Sequence, residues 1–241
     1  MGTIVWLSDA SAHTSLGGRN KGREPEDGRV FREIRVADGP TPEERAQGRP
    51  LVHPERVLPP GGADEYRAAR KQGARHLVLW ADPYRQRAVA HIRTVSAAKG
   101  APATFEVLGE DGAALARITR EPAMRGRRVR TRWTVLQQGA EPAAGLKGRP
   151  FWWAVWWLIS PIQVAIAVGS LVAGSGDVAR TPRRTRWRRH GRVVLDYANG
   201  PDGFELEVLE EGWDWRVTAA LVALLTSHGS WLATAWDELA Q

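Results

Sequence analysis

Near the C-terminus, Val217-Thr218-Ala219-Ala220-Leu221-Val222-Ala223-Leu224-Leu225 forms the middle of a stretch from Asp214 to His228 that Gly229 stops. The pattern predicts a helix over 214–228, and that helix is apolar on all its sides. Such a helix is enclosed by protein or by lipid. At about 1.5 Å per residue it is too short to cross a bilayer comfortably, so enclosure by protein is expected. Whatever precedes it must therefore build a wall around it.

The preceding sequence reads as strands. His76–Trp80, Arg87–Val95, Thr104–Leu108, Ala114–Thr119, Arg128–Leu136, Arg192–Tyr197 and Phe204–Leu209 alternate apolar with polar residues or are short apolar runs. Gly109-Glu110-Asp111-Gly112 is a hairpin turn signal, and Asn199-Gly200-Pro201-Asp202-Gly203 is a second turn. Even strand spacing points to an antiparallel sandwich or barrel. A closed barrel of suitable diameter takes a helix as its core. The expected fold is mainly β: an antiparallel β-barrel wrapped around a buried C-terminal helix, with an apolar helical insertion. At 241 residues, 43% hydrophobic and 25% charged, the chain suits one large domain, or one domain with an appendage. Residues 1–75 read as the appendage, a polar Pro/Gly-rich extension. Within it Val30–Val36 is a candidate edge strand and Asp64–Gln72 a short helix stopped by Gly73, while Pro40, Pro42, Pro50, Pro54, Pro59 and Pro60 interrupt regular structure. Residues 76–241 read as the barrel.

Two stretches carry a resemblance. Thr104–Gly112 through Arg132-Trp133-Thr134-Val135, and Phe204–Leu225, are similar to the central hairpins and the ending of the tubby-like superfamily. That superfamily includes tubby C-terminal domains, phospholipid scramblases and LURP-one-related proteins. The two stretches cover about half of the chain. The resemblance implies a barrel around its C-terminal helix, and a non-enzymatic role in binding phosphoinositides or other phospholipids.

The segment 151–176 is uncharged and opens Phe151-Trp152-Trp153-Ala154-Val155-Trp156-Trp157. Trp152, Trp153, Trp156 and Trp157 suit the headgroup level of a membrane. As one helix the segment would be long enough to cross about 30 Å of hydrocarbon. A single crossing, however, would place two halves of one barrel on opposite sides of the membrane. The expectation is therefore a dip into one leaflet, broken at Pro161 or Gly169. Packing on the barrel is the alternative. Arg180, Arg183, Arg184, Arg186, Arg188, Arg189 and Arg192 follow, and arginine near anionic lipid contributes about 1 kcal/mol.

Net charge is +7, and all but four of the 34 basic residues are arginines. A basic chain favours anionic partners. The start, Met1–Asp9, has no basic region and only a short apolar run, so a signal peptide is not expected. The localisation that follows is cytoplasmic, peripheral or monotopic on the inner face of the plasma membrane. A second arginine group, Arg125, Arg127, Arg128, Arg130 and Arg132, puts Arg128, Arg130 and Arg132 on one face of a strand opposite Val129, Thr131, Trp133 and Val135. Guanidinium forks match phosphate oxygens; a solvated outer face is the plainer reading. The candidate lipid- or anion-binding residues are Arg128, Arg130, Arg132, Arg180, Arg183, Arg184, Arg186, Arg188 and Arg189.

Catalytic chemistry has no clear carrier. Without cysteine there is no thiolate nucleophile, Cys-ligated zinc or iron–sulfur cluster. The six histidines lack HExxH spacing, and Gly-X-Ser-X-Gly and phosphate-loop motifs are missing. Glu205, Glu207, Glu210, Glu211 and Asp214 read as a solvated acidic face, with Asp214 at a helix start. Trp213 and Trp215 read as a plug for one barrel end. No catalytic residue, metal or cofactor is expected. The expected partners are anionic membrane lipids, with a protein partner and, less favoured, nucleic acid as further candidates. The alternative to a lipid-binding role is a soluble nucleic-acid-binding or protein-interaction module with the Trp-rich segment buried.

Overall fold

The computed structural model describes residues 2–9, 28–123, 130–148, 184–200, 203–228 and 235–238. Among them twelve strands form one closed antiparallel barrel. In chain order they are β1 (Thr3–Asp9), β2 (Arg32–Ala37), β3 (Arg49–Arg56), β4 (Leu77–Trp80), β5 (Ala88–Ser96), β6 (Ala103–Gly109), β7 (Ala114–Glu121), β8 (Arg132–Gln137), β9 (Ala143–Lys147), β10 (Thr185–Arg189), β11 (Arg192–Gly200) and β12 (Gly203–Val208). Each strand pairs with the next, and β12 pairs with β1 from Thr3↔Val208 to Trp6↔Glu205. Closure leaves no free sheet edge, so every strand has a partner on both sides.

Among the described residues three helices accompany the barrel: α1 (Pro42–Ala46), α2 (Gly62–Lys71) and α3 (Trp215–Ser227). The helix expected over 214–228 is α3, and it runs through the barrel: every residue from Val217 to Leu225 is buried. Asp214 caps its start, accepting from the Arg216 amide at 2.8 Å. The Asp214 N–H donates to Gln137 Oε1 at 2.8 Å, which ties the cap to the end of β8. Ala219, Ala220 and Ala223 keep the helix slender. The wall supplies the bulk with Phe105, Trp133 and Trp187, all fully buried. Each buried Leu or Val contributes roughly 1.5–3 kcal/mol relative to exposure.

The barrel has an entry end, where α3 starts, and an exit end, where it stops. Across β8, β9 and β10 the inward row is Trp133, Gly145, Trp187. A Cβ on Gly145 would lie 2.9 Å from the Trp187 ring, so the residue between these two indoles must be glycine.

Residues 1–75 are not an appendage. They supply β1, β2 and β3, a quarter of the wall, and β1 closes it. Prolines misled the reading of β3. Pro50 sits opposite Arg35 and Pro54 opposite Leu79, ladder places held without their own N–H. The strand expected at Arg128–Leu136 begins instead at Arg132. Glu205 is not solvated: α1 packs beside β2, near a small apolar cluster of Ile4, Trp6 and Ala37. There Arg45 pairs with the buried Glu205 at 2.8 Å. Segment 151–176, with its four candidate tryptophans, lies outside the described residues. Among the described residues no helix is long and apolar enough to cross a membrane.

Gly145→Val forces a side chain into the Trp133–Trp187 gap. It is expected to cost about 1–3 kcal/mol, seen as a lower urea midpoint. An unchanged midpoint would mean that the two indoles have room to part.

Candidate anion-binding end

The outer face of β8–β11 carries four of the anticipated arginines. Arg132, Leu146, Arg186 and Asp196 stand in one register row, with Arg188 in the next. Leu146 is 40% exposed among them. Arg184 clamps the buried Asp196 with Nε at 2.8 and 3.0 Å from its two oxygens, and Arg186 Nε adds 2.9 Å. These bonds raise the Arg184 pKa above its ordinary value. Two guanidinium groups thus share one carboxylate. Glu121 stands opposite Arg132, and Glu207 opposite Asp196, so this row is mixed in sign and not a cationic stripe.

The remaining described arginines separate. Arg130 Nη1 donates to Gly148 O at 2.7 Å at the exit end. Arg188, of the outer-face four, turns back to Gly191 O at 2.7 Å. Arg189 belongs to the entry end, where it donates to Glu141 O and Glu210 and lies 5.1 Å from the Trp213 ring centroid. Trp213 packs there against the core, as a plug would, but Trp215 is exposed. Arg128, Arg180 and Arg183 lie outside the described residues.

Chain connections gather at the exit end. Glu121 pairs with Arg132, so 122–131 leaves and returns there. The Gly148 N–H donates to Arg184 O at 2.9 Å, so 149–183 leaves and returns beside it. The two arginine groups, far apart in sequence, therefore flank connections that start from one end of the barrel.

Inside that same end lies a polar group that the sequence reading missed. Asp237, fully buried, accepts on Oδ2 from Tyr66 Oη and Arg70 Nε, each at 3.0 Å, and forms an ion pair with Arg75, whose Nε lies 3.0 Å away while its N–H donates to Ser227 Oγ at 3.2 Å. Arg70 also pairs with Glu238. Arg75 adds 3.1 Å to Ser227 O, the end of α3, and 2.6 Å to Ala74 O. This network fastens α2 and residues 235–238 over the helix. Burial pushes the Tyr66 phenol up, and lowers Arg75 to about 10. His228 sits beneath, edge-on to Trp133 and Phe105 with centroids 5.5 and 5.7 Å away. Burial, then Arg75, Arg120 and Arg70, hold it well below 6.5.

Arg120 completes the group. It shares the inward parity of β7 with Ala116 and Ile118, and stands between Ala103 and Trp133. Extending the Ala114–Thr119 alternation by one residue would have found it. Among the described residues no cluster of His, Asp and Glu is arranged to hold a metal ion. The chain finds no significant match among family models, curated proteins or solved structures.

His228 gives this end a pH signature. Unfolded, it titrates near 6.5; folded, its pKa is lower, so the unfolded chain binds the extra proton. Stability is complete above about pH 6.5 and falls as pH drops toward the folded pKa. His53, also held low chiefly by burial, contributes to the same limb. Urea midpoints between pH 7.5 and 5 are expected to fall, and less steeply in His228→Phe. An equal slope in that variant would contradict the assignment.

Proposed function

We propose that the protein is a non-enzymatic, membrane-associated barrel of the tubby-like type. It binds anionic phospholipid headgroups at the inner face of the plasma membrane, with its exit end toward the bilayer. One observation carries the reading. The connections 122–131 and 149–183 start and finish at that end, and the second is drawn together at its base by the Gly148–Arg184 hydrogen bond. In sequence those connections hold Arg125, Arg127, Arg128, Arg180 and Arg183, together with Trp152, Trp153, Trp156 and Trp157. Both connections carry basic residues in sequence and the second also carries tryptophans, and stable peripheral binding takes two such signals together. The closed barrel around a buried C-terminal helix supports the tubby-like assignment.

Flotation with vesicles tests it. The protein is expected to float with phosphatidylcholine vesicles containing phosphatidylserine and to stay behind with phosphatidylcholine alone. High salt should weaken flotation, and Trp152→Ser with Trp156→Ser should abolish it. Equal behaviour with both vesicle types would overturn the reading. Salt-sensitive oligonucleotide binding without flotation would favour a nucleic-acid module instead.

A further inference from the structure

We infer that the exit end enters the headgroup layer of an anionic membrane through two segments of the barrel rim, 57–61 and 95–102. Val57, Leu58 and Val95 are the apolar contacts, and Lys71 and Lys99 the cationic ones. The inference rests on the lipid-binding reading above and gives it a contact surface within the described residues. Val57, Leu58 and Val95 are 44%, 47% and 55% exposed. The Val57 N–H donates to His76 O at 2.8 Å, and the Arg75 N–H to Thr94 Oγ1 at 2.7 Å. One strand therefore separates Val57 from Val95, and the two stand on the order of 10 Å apart. Helix α2 runs between the two segments: it starts directly after 57–61, and beyond its end Gln72 Oε1 accepts the Lys99 N–H at 3.1 Å. Its exposed residues include Arg67, Ala68 and Lys71.

Charge decides which end meets an anionic surface, because exposed apolar residues occur at both. Leu136, Leu209 and Trp215 are exposed at the entry end. The turns there carry Glu110, Asp111, Glu141, Glu210, Glu211 and Asp214, which outnumber Arg188, Arg189, Arg192 and Arg216 beside them. An anionic leaflet repels that end. At the exit end, 57–61 and 95–102 hold no acidic residue. The acids of α2 are engaged, Asp64 by Arg67 and Glu65 by the Gly61 N–H at 2.7 Å. Glu238 pairs with Arg70, and the buried Asp237 with Arg70 and Arg75. Among the described residues Lys71 and Lys99 have no carboxylate partner, and both are exposed. Their ammonium groups are open to headgroup phosphate. Aliphatic side chains flanked by such cations gain twice at an anionic leaflet, by leaving water and by charge.

The chain has no cysteine, so a single introduced one takes a fluorescent label alone. An NBD group is placed in the full chain at Leu58→Cys or Val95→Cys, and for comparison at Leu136→Cys or Leu209→Cys of the entry end. The probe is phosphatidylcholine vesicles containing phosphatidylserine. Labels at 58 and 95 are expected to shift to the blue and to be quenched by doxyl-labelled lipid, while those at 136 and 209 emit as they do in buffer. Leu58→Asp should weaken flotation about tenfold, and Leu209→Asp should leave it unchanged. Lys71→Glu combined with Lys99→Glu should weaken it as well. Flotation with no shift at 58 and 95, or with an equal shift at 136 and 209, would overturn the inference while lipid binding stands. Absence of flotation altogether removes both.

Discussion

The structure depends on enclosing α3. A helix apolar on every side has no face to give to water, and from Val217 to Leu225 this one gives none. A flat sheet would cover only one side. A closed barrel covers all of them and at the same time removes the sheet edges. Closure needs the first and last strands to meet, so β1, at the start of the chain, pairs with β12, just before the helix. The N-terminal residues are therefore as necessary to the core as the C-terminal ones.

The two ends of the helix are sealed differently. At the entry end the seal is local: Asp214 caps the helix, Gln137 holds the cap, and Arg189 stacks over Trp213. At the exit end the seal is assembled from distant parts of the chain. Tyr66, Arg70 and Arg75 converge on Asp237, and Arg75 also holds the last carbonyl of the helix. Three arginines gather there around few carboxylates, and burial, reinforced by their positive potential, holds the His228 pKa down. The connections that carry the Trp-rich and arginine-rich sequence start at this same end.

The wall was legible wherever one face was buried. The alternation in Thr104–Leu108 and Ala114–Thr119, and the apolar run of 217–225, map onto β6, β7 and α3. What escaped notice has physical reasons. The strand β9, Ala143–Lys147, holds Gly145 where the pattern asks for bulk, because its neighbours Trp133 and Trp187 fill that volume. In β10, Arg186 and Arg188 read as charge, although Thr185 and Trp187, alternating with them, face the core. The prolines of β3 looked like breakers. Glu205 looked solvated because nothing local tells of Arg45 on α1 pairing with it. The exit-end group was hidden for a similar reason: Arg75, Arg120, His228 and Asp237 meet only once the sheet has closed.

Hydrogen exchange read amide by amide tests the central claim most directly, namely that α3 is the filling of the barrel. If it is, the amides of Val222 to Leu225 exchange only through global unfolding, as slowly as those of Phe105 and Val135 in the wall around them. Exchange in α3 markedly faster than in those strands would mean that the helix leaves the barrel without the barrel opening, and would contradict the account.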